Sequence, residues 1–333
     1  MSNTTTTTEI NRTKAGPGIA SRIMALGPTY GALIALVLLV ILNVLLTPNF
    51  AAWANFWNIL LQVAPTMLVA VGMTMVIATG GIDLSVGSVM AIASALAATN
   101  LDRGVGIAVL LALAVALGVG AFNGALITGF RIQPIIVTLA LLIAGRGIAQ
   151  VISNGGQLIP FSNPTFEYLG KGYVGPMPFQ VLVMILVVAA AIFVMRMTSF
   201  GRYVVAVGGN EGASRLAGIK IHRTKIMVYA LSGLLAGLAG LIETARLGAS
   251  DAAKVGLNIE LDAIAAVVVG GTPLTGGRAT VLGTVIGALI MQVLTTSFNM
   301  GPLGMRPLPF SWSLVFKAAI IVFAVYIQRP KVA

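Results

Sequence analysis

Residues 80–88 of the chain read GGIDLSVGS and lie between two apolar runs, each with the composition of a membrane-entering segment. Asp83 is the one charged side chain between Arg22 and Asp102. A carboxylate at membrane depth is costly, so it is expected to serve a pathway or to lock the structure. The glycines around it predict irregular backbone, which a bilayer tolerates only where protein or a water-filled cavity surrounds it. This stretch therefore predicts a polytopic membrane protein with a discontinuous helix.

The composition of the whole chain supports the same class. Of 333 residues, 58% are hydrophobic and only 9% are charged, whereas about a quarter of the residues of a soluble domain are charged. The chain has no cysteine, which excludes disulfide and thiol chemistry, and its single histidine, His222, excludes a multi-histidine metal site. We therefore expect an integral membrane protein that holds no cofactor of its own.

Ten apolar runs of helical length predict the fold. A membrane span needs about 17–25 residues, and the runs 86–101 and 263–275 are short and adjoin glycine-rich breaks, as half-helices or re-entrant pieces would. The prediction is an all-α, polytopic membrane protein with about ten transmembrane segments, two of them broken. We expect a cytoplasmic polar tail at 1–28, a transmembrane domain at 29–329 and a cytoplasmic tail at 330–333. The runs are 30–46, 58–79, 86–101, 105–129, 134–152, 177–196, 226–246, 263–275, 280–298 and 312–328.

The distribution of positive charge predicts the orientation. The loops assigned to the inside carry twelve Lys and Arg residues against two acids, while those assigned to the outside carry five of each sign. Cytoplasmic loops are enriched in Lys and Arg, so both termini are expected on the cytoplasmic side. The excess of Lys and Arg in cytoplasmic loops accounts for the net charge of +11, so the charge does not indicate a nucleic-acid partner.

The break at residues 80–87 resembles a second stretch at 270–277, at an offset of 190 residues. Both follow an apolar run and precede another. Paired broken segments in two halves of a chain point to the central pathway of a transporter. Two glycine-rich turns that match by chance are the alternative.

Few ionisable residues lie inside the predicted spans. Asp83 either caps the half-helix that follows, with Ser85 sharing that task, or lines the pathway. Arg146 lies within a span between two glycines and needs a partner such as backbone carbonyls or a carboxylate. Proton-driven pumps usually carry chains of acids or histidines through the membrane, so this scarcity argues against a stand-alone proton- or ion-driven carrier.

The cytoplasmic loop at 197–225 contains a short helix signal. Asn210 can cap a helix that starts near Glu211 and ends at Gly218. Such a helix is too short to be stable alone, and a partner protein is a natural surface for it. The chain contains no G-x-x-x-x-G-K-[ST] motif, so any ATP must be bound by another polypeptide.

Taken together, these motifs resemble the permease subunits of bacterial ABC importers for monosaccharides, the ribose/xylose/arabinose/galactose permease family, over about residues 30–328. The most specific segment is 71–88, VGMTMVIATGGIDLSVGS. Further matching segments are Asn123-Gly124, 131–134, Thr138-Leu139, Gly201-Arg202, 208–219, 261–267, Gly270-Gly271 and 276–278. Residues 131–134 and 144–150 look similar to galactofuranose-type permeases.

The resemblance implies a translocation subunit, not an enzyme, in the bacterial inner membrane. Its implied partners are a second permease copy, identical or closely related, an ATPase subunit that holds ATP and Mg, a periplasmic sugar-binding protein and a monosaccharide substrate. The candidate pathway or broken-helix residues are Gly80, Gly81, Asp83, Ser85, Gly87, Asn123, Arg146, Gly270, Gly271 and Thr275. The candidate ATPase-coupling residues are Gly201, Arg202, Gly208, Asn210, Glu211, Ala213, Gly218 and Ile219.

Two other functions remain open from the residues. A secondary carrier or channel for a small polar solute would need no ATPase. A membrane enzyme would need converging ionisable groups at one depth, and the sequence offers no histidine cluster and no paired carboxylates within a span.

Overall fold

The computed structural model describes residues 28–301 and 310–328, and this part of the chain is mainly helical. The predicted tails therefore lie outside the described residues, apart from Pro28. The helices are α1 (Pro28–Leu46), α2 (Trp53–Ala78), α3 (Val86–Asn100), α4 (Val105–Gly129), α5 (Pro134–Ile152), α6 (Pro164–Lys171), α7 (Phe179–Met197), α8 (Ser199–Gly209), α9 (Glu211–Leu216), α10 (Ile221–Leu247), α11 (Ile259–Val269), α12 (Val281–Met300) and α13 (Phe310–Gln328).

Each of the ten apolar runs overlaps one of these helices, although the run predicted at 263–275 is displaced, since α11 is Ile259–Val269 and residues 270–275 lie in a break. Six helices in the described part, α2, α4, α5, α7, α10 and α12, are long and apolar enough to cross a membrane. Helix α11 has 11 residues and rises about 16 Å at ~1.5 Å per residue, which is too short to cross a bilayer. The helical, multi-pass class is confirmed, whereas the count of ten spans and the re-entrant character of the short helices stay predictions.

Four two-residue strands join the segments between the long helices. Strand β1 (Ile159–Pro160) pairs antiparallel with β4 (Ala249–Ser250), and β2 (Tyr173–Val174) pairs antiparallel with β3 (Met177–Pro178). They lie at the end of the helices where α5 finishes and α7 begins. We call this the strand end, and we call the other end, where α8 and α9 lie, the loop end.

Helix α10 lies at the centre of the described bundle and packs against α2, α3 and α4. Small residues bring these helices close together. A Cβ on Gly120 would collide with the backbone of Tyr229, and one on Gly233 would collide with the carbonyl of Ala116. Close backbone approach of this kind is typical of membrane helices, where van der Waals packing drives association.

Candidate functional site

Helix α2 ends in a glycine turn that begins the first break. The Gly80 N–H bonds to the Ile77 carbonyl at 2.9 Å and the Gly81 N–H bonds to the Val76 carbonyl at 3.2 Å. Gly80 has a φ of +78°, so this is the Schellman pattern, in which glycine adopts the left-handed conformation without a Cβ penalty. A Cβ on Gly81 would collide with the hydroxyl of Tyr229, so α10 requires the second glycine.

Asp83 is 1% exposed and lies in the turn that leads into α3. Its Oδ1 accepts the Ser85 N–H at 3.0 Å and the Ser85 hydroxyl at 2.6 Å, and its Oδ2 accepts the hydroxyl of Ser232, on α10, at 3.0 Å. The carboxylate therefore locks the turn before α3 and ties it to α10, whereas neither the Asp83 nor the Ser85 side chain accepts a hydrogen bond from an N–H group of α3 itself. Arg146 is not among its hydrogen-bond partners.

Neighbouring helices add further bonds to the same turn. Asn123, on α4, donates from Nδ2 to the Ser85 hydroxyl at 2.9 Å. The Ser88 hydroxyl donates to the carbonyl of Leu141, on α5, at 3.1 Å, and the Thr138 hydroxyl donates to the Ile82 carbonyl at 3.3 Å. The break is thus a polar junction of four helices. The sequence identified Asp83, Ser85 and Asn123 but missed Ser88 and Ser232, because serines on apolar helices carry no local signal.

Helix α11 ends in a second turn with the same hydrogen bonds. The Gly271 N–H bonds to the Val268 carbonyl at 2.9 Å and the Thr272 N–H bonds to the Val267 carbonyl at 3.2 Å. Gly271 has a φ of +91°. The two helix ends therefore share one capping geometry.

These bonds correct the predicted alignment of the two breaks. The structure places Gly271, and not Gly270, at the position of Gly80, an offset of 191 residues. The predicted offset of 190 residues pairs Ser85 with Thr275, and these two residues differ as well, since Ser85 is buried whereas Thr275 is exposed. Gly270 is needed for another reason, since a Cβ there would collide with the backbone of Gly283 on α12.

The two breaks meet each other at one point. The Gly277 N–H donates to the carbonyl of Ala78, the last residue of α2, at 3.0 Å. A Cβ on Gly276 would lie 2.8 Å from the Gly80 nitrogen, and one on Gly208, near the end of α8, would collide with the Ala78 carbonyl. We call Gly80, Gly208, Gly209, Gly276 and Gly277 the glycine junction. It brings both broken helices into backbone contact with the segment that precedes α9.

Arg146 contacts a different segment. Its guanidinium donates to the carbonyls of Ala252 at 3.0 Å, Val255 at 2.7 Å and Gly256 at 3.5 Å. The position of Arg146 inside a span predicted partners such as backbone carbonyls or a carboxylate, and the partners found are carbonyls. Gly87 touches the same segment, since a Cβ there would collide with the Gly256 carbonyl. Both residues thus position the chain between β4 and α11.

The short helix expected at 210–218 is present as α9. The Asn210 Oδ1 accepts the Ala213 N–H at 2.9 Å and caps its start. At its end Gly218, with a φ of +78°, donates to the Arg215 carbonyl at 3.1 Å, and Ile219 donates to the Ser214 carbonyl at 3.0 Å. The prediction of a capped helix between Asn210 and Gly218 is confirmed.

The surface of α9 combines charge with one exposed apolar side chain. Glu211 pairs with Lys225 at 2.7 Å and with Arg215 at 3.6 Å, and the hydrogen bond from Lys225 lowers the pKa of the Glu211 carboxyl. Leu216 is 92% exposed. The sequence missed Leu216, because exposure of one leucine depends on how the loop folds.

Gly201 and Arg202 lie farther from that surface. The Gly201 N–H bonds to the Thr198 hydroxyl at 3.4 Å, and a Cβ there would collide with the backbone of Met195. Arg202 donates to the Ser199 hydroxyl at 2.9 Å. These two residues shape the corner between α7 and α8.

Comparison with known proteins gives consistent matches over most of the chain. Residues 55–325 match the family described as the branched-chain amino acid transport system permease component. The ribose import permease protein of Escherichia coli strain K12 is 42% identical over 305 residues, covering 90% of this chain and 93% of that protein. The galactofuranose transporter permease protein of the same strain is 38% identical over 315 residues, covering 90% and 89%. The fructose import permease protein of Bifidobacterium longum is 35% identical over 318 residues, covering 90% and 87%.

Proposed function

Since the chain belongs to the family of branched-chain amino acid transport system permease components, we propose that it is the membrane-spanning subunit of an ATP-driven importer for a monosaccharide. Its relatives are named as import or transporter permeases for ribose, galactofuranose and fructose, and the predicted resemblance to sugar permeases is confirmed at that level. The chain is 42% identical to the ribose permease and 38% identical to the galactofuranose permease. These identities do not favour galactofuranose as the substrate, so the sugar is not identified.

The observation that carries the proposal is the connection between α9 and the two helix breaks. Helix α9 presents Leu216 to its surroundings, and only Asn210 separates it from α8. Helix α8 in turn ends in the glycine junction, where Gly208 lies against Ala78 and Gly277. A protein that moves α9 therefore moves backbone that touches both breaks.

The proposed partner at α9 is an ATPase subunit that binds ATP and Mg, because this chain has no phosphate-binding loop of its own. Nucleotide binding and hydrolysis would shift the permease between inward- and outward-facing states. Such a shift requires different contacts with α9 in the two states, not tight binding of sugar by the permease. The glycine junction offers a short path for that shift, since its contacts are backbone to backbone and leave no flexible side chain between them.

The loop end is assigned to the cytoplasm of a bacterium and the strand end to the periplasm. Arg131, Arg202, Arg215, Lys220 and Lys225 all lie in loop-end segments, and cytoplasmic segments are rich in such residues. On this assignment a sugar-binding protein docks at the strand end. A second permease copy, identical or closely related, completes the pathway in the plane of the membrane.

The proposal is tested by reconstituting the chain in vesicles with and without its ATPase subunit and sugar-binding protein. We expect uptake of a monosaccharide such as D-ribose, D-xylose or D-fructose only with both partners and with ATP. Uptake by the chain alone, down a gradient, would show a carrier or channel instead. Failure of the ATPase to co-purify with the chain would contradict the assigned role of α9.

A further inference from the structure

A polar cavity of about 570 Å³ opens toward the strand end, between α2, α10, α11, α12 and α13. It is separate from the helix breaks, the Asp83 turn and α9. Its volume lies within the roughly 300–1,000 Å³ usual for small-molecule sites. The residues that line it all have polar side chains: Asn58, Gln62, Glu243, Arg246, Asp262, Gln292, Thr295 and Lys317.

Several of these side chains lie well below the helix ends. Gln62 is nine residues into α2, and Lys317 is seven residues into α13. At ~1.5 Å per residue these positions lie about 14 Å and 10 Å along their helices. Polar and charged groups at such depth are expensive unless they face a water-filled cavity or each other. These side chains meet that requirement by bonding to one another and by lining the polar cavity.

The floor of the cavity is a glutamine pair between α2 and α12. Gln292 donates from Nε2 to the Gln62 Oε1 at 3.0 Å, and Gln62 donates to the Asn58 Oδ1 at 2.8 Å. Farther along the same seam, the hydroxyls of Thr74 and Thr284 lie 2.7 Å apart and are fully buried. The same two helices thus carry a second buried polar contact nearer the loop end, and apolar side chains lie between the two contacts.

The charges of the cavity cancel. Glu243 and Asp262 face Arg246 and Lys317, and Lys317 pairs with Asp262 at 2.9 Å. The cavity at the loop end differs, because Arg131, Arg215 and Lys225 line it against Glu211 alone. A site with no net charge gives no electrostatic preference to an ion over a neutral molecule.

The cavity also offers both kinds of hydrogen-bonding group. Within the described residues, the Asn58 Nδ2 and the Arg246 guanidinium donate no hydrogen bond, and the Gln292 Oε1 accepts none. A sugar hydroxyl both donates and accepts, so a molecule with several hydroxyls matches this mixed set better than an apolar or singly charged solute does.

We propose that this cavity is the site where the permease receives its solute, and that the solute is a neutral, polyhydroxylated molecule of monosaccharide size. The proposal rests on the proposed function and specifies where the sugar first contacts this chain. Asn58, Gln292 and Arg246 supply the hydrogen bonds, and the Asp262–Lys317 pair keeps the cavity neutral.

The test uses the chain reconstituted with its ATPase subunit and sugar-binding protein. ATP-dependent uptake of D-ribose, D-xylose and D-fructose is measured for Gln292→Leu, Asn58→Leu and the control Leu110→Gln, which makes the reverse change on α4 at a side chain that is 69% exposed and outside the cavity. We expect a loss of at least about tenfold for the two cavity variants, because sugar hydroxyls lose hydrogen-bond partners there. The control should transport at the wild-type rate, and loaded binding protein should still stimulate ATP hydrolysis in all three.

A labelling measurement separates solute binding from a structural defect. Thr295→Cys places a thiol in the cavity, and Asp102→Cys places one on exposed surface at the same end. The transported sugar should slow modification of the cavity thiol by a membrane-impermeant reagent at least about threefold and leave the control thiol unaffected, because bound solute excludes the reagent.

Two results overturn the proposal: uptake at the wild-type rate by both leucine variants, or no effect of the transported sugar on labelling at position 295. If either result is obtained and the wild-type complex still imports sugar, only the assignment of the cavity is overturned and the proposed function stands. A wild-type complex that imports no sugar with ATP overturns the proposed function as well.

Discussion

Gly277 donates its backbone N–H to the carbonyl of Ala78 at 3.0 Å, and this bond joins the two broken helices across 199 residues of chain. Gly208 lies against the same carbonyl. Three segments far apart in sequence thus share one backbone oxygen. The segment before α9 therefore lies against both the end of α2 and the loop between α11 and α12.

The first prediction concerns this glycine junction. Gly208→Ala should reduce ATP-dependent sugar uptake at least about tenfold, since its Cβ would collide with the Ala78 carbonyl and such overpacking costs ~1–3 kcal/mol. Gly129→Ala, also at the loop end, is the control, because a Cβ there meets nothing within 4 Å. Uptake is measured per amount of protein in the membrane. Equal activity of the two variants would show that the close approach at Gly208 is dispensable.

The second prediction concerns Asp83. Asp83→Asn keeps an oxygen for the Ser85 N–H and gains an amide that can donate to Ser232, so it should retain most transport. Asp83→Leu should lose it, because the Ser85 N–H and the Ser232 hydroxyl would lose their acceptor and an unpaired polar group inside a membrane costs several kcal/mol. Uptake of labelled sugar by both variants, normalised to inserted protein, decides the matter. Equal loss in both would show that the negative charge itself is required.

The third prediction concerns the surface of α9. Leu216→Glu places a charge where an apolar contact with the ATPase is proposed, and it should abolish retention of that subunit during purification. Leu158→Glu is the control, since Leu158 is 59% exposed at the strand end. Both variants should insert into the membrane normally. Normal ATPase retention and transport by Leu216→Glu would exclude this side chain from the interface.

Changes at two other α9 residues extend this prediction. Glu211→Arg removes the 2.7 Å pair with Lys225, and Ala213→Trp adds bulk to an exposed position beside the cap. Each should uncouple ATP hydrolysis from uptake or release the ATPase. Wild-type transport by both, with the ATPase retained, would mean that α9 is not a contact surface.

The fourth prediction concerns orientation. The chain contains no cysteine, so a single introduced thiol reports its own location. In intact cells a membrane-impermeant reagent should label Leu158→Cys and should not label Phe130→Cys until the cells are opened. Phe130 lies at the loop end outside α9 and is 74% exposed, so it is a better probe than Ser214, which is 4% exposed. Labelling of Phe130→Cys in intact cells would reverse the assigned topology.

The sequence by itself determined the features that depend on local pattern. Each of the ten apolar runs overlaps a helix, because a continuous apolar run of this length favours a helix in a membrane. Gly80 and Gly218 mark helix ends because only a left-handed residue completes the capping bonds. Asn210 marks the start of α9 because its side chain reaches an N–H three residues ahead.

Only the tertiary structure decided which distant groups meet. Ser232 bonds to Asp83 from 149 positions away, and Arg146 bonds to carbonyls more than 100 positions away. The equivalence of Gly80 with Gly271 was found from their backbone hydrogen bonds. The match of residue types had aligned Gly80 with Gly270, one position earlier. The cavity at the strand end combines side chains from five helices. Each of these contacts depends on how the helices pack against one another. Packing brings together residues that are far apart in the sequence, so no local sequence pattern predicts the contact.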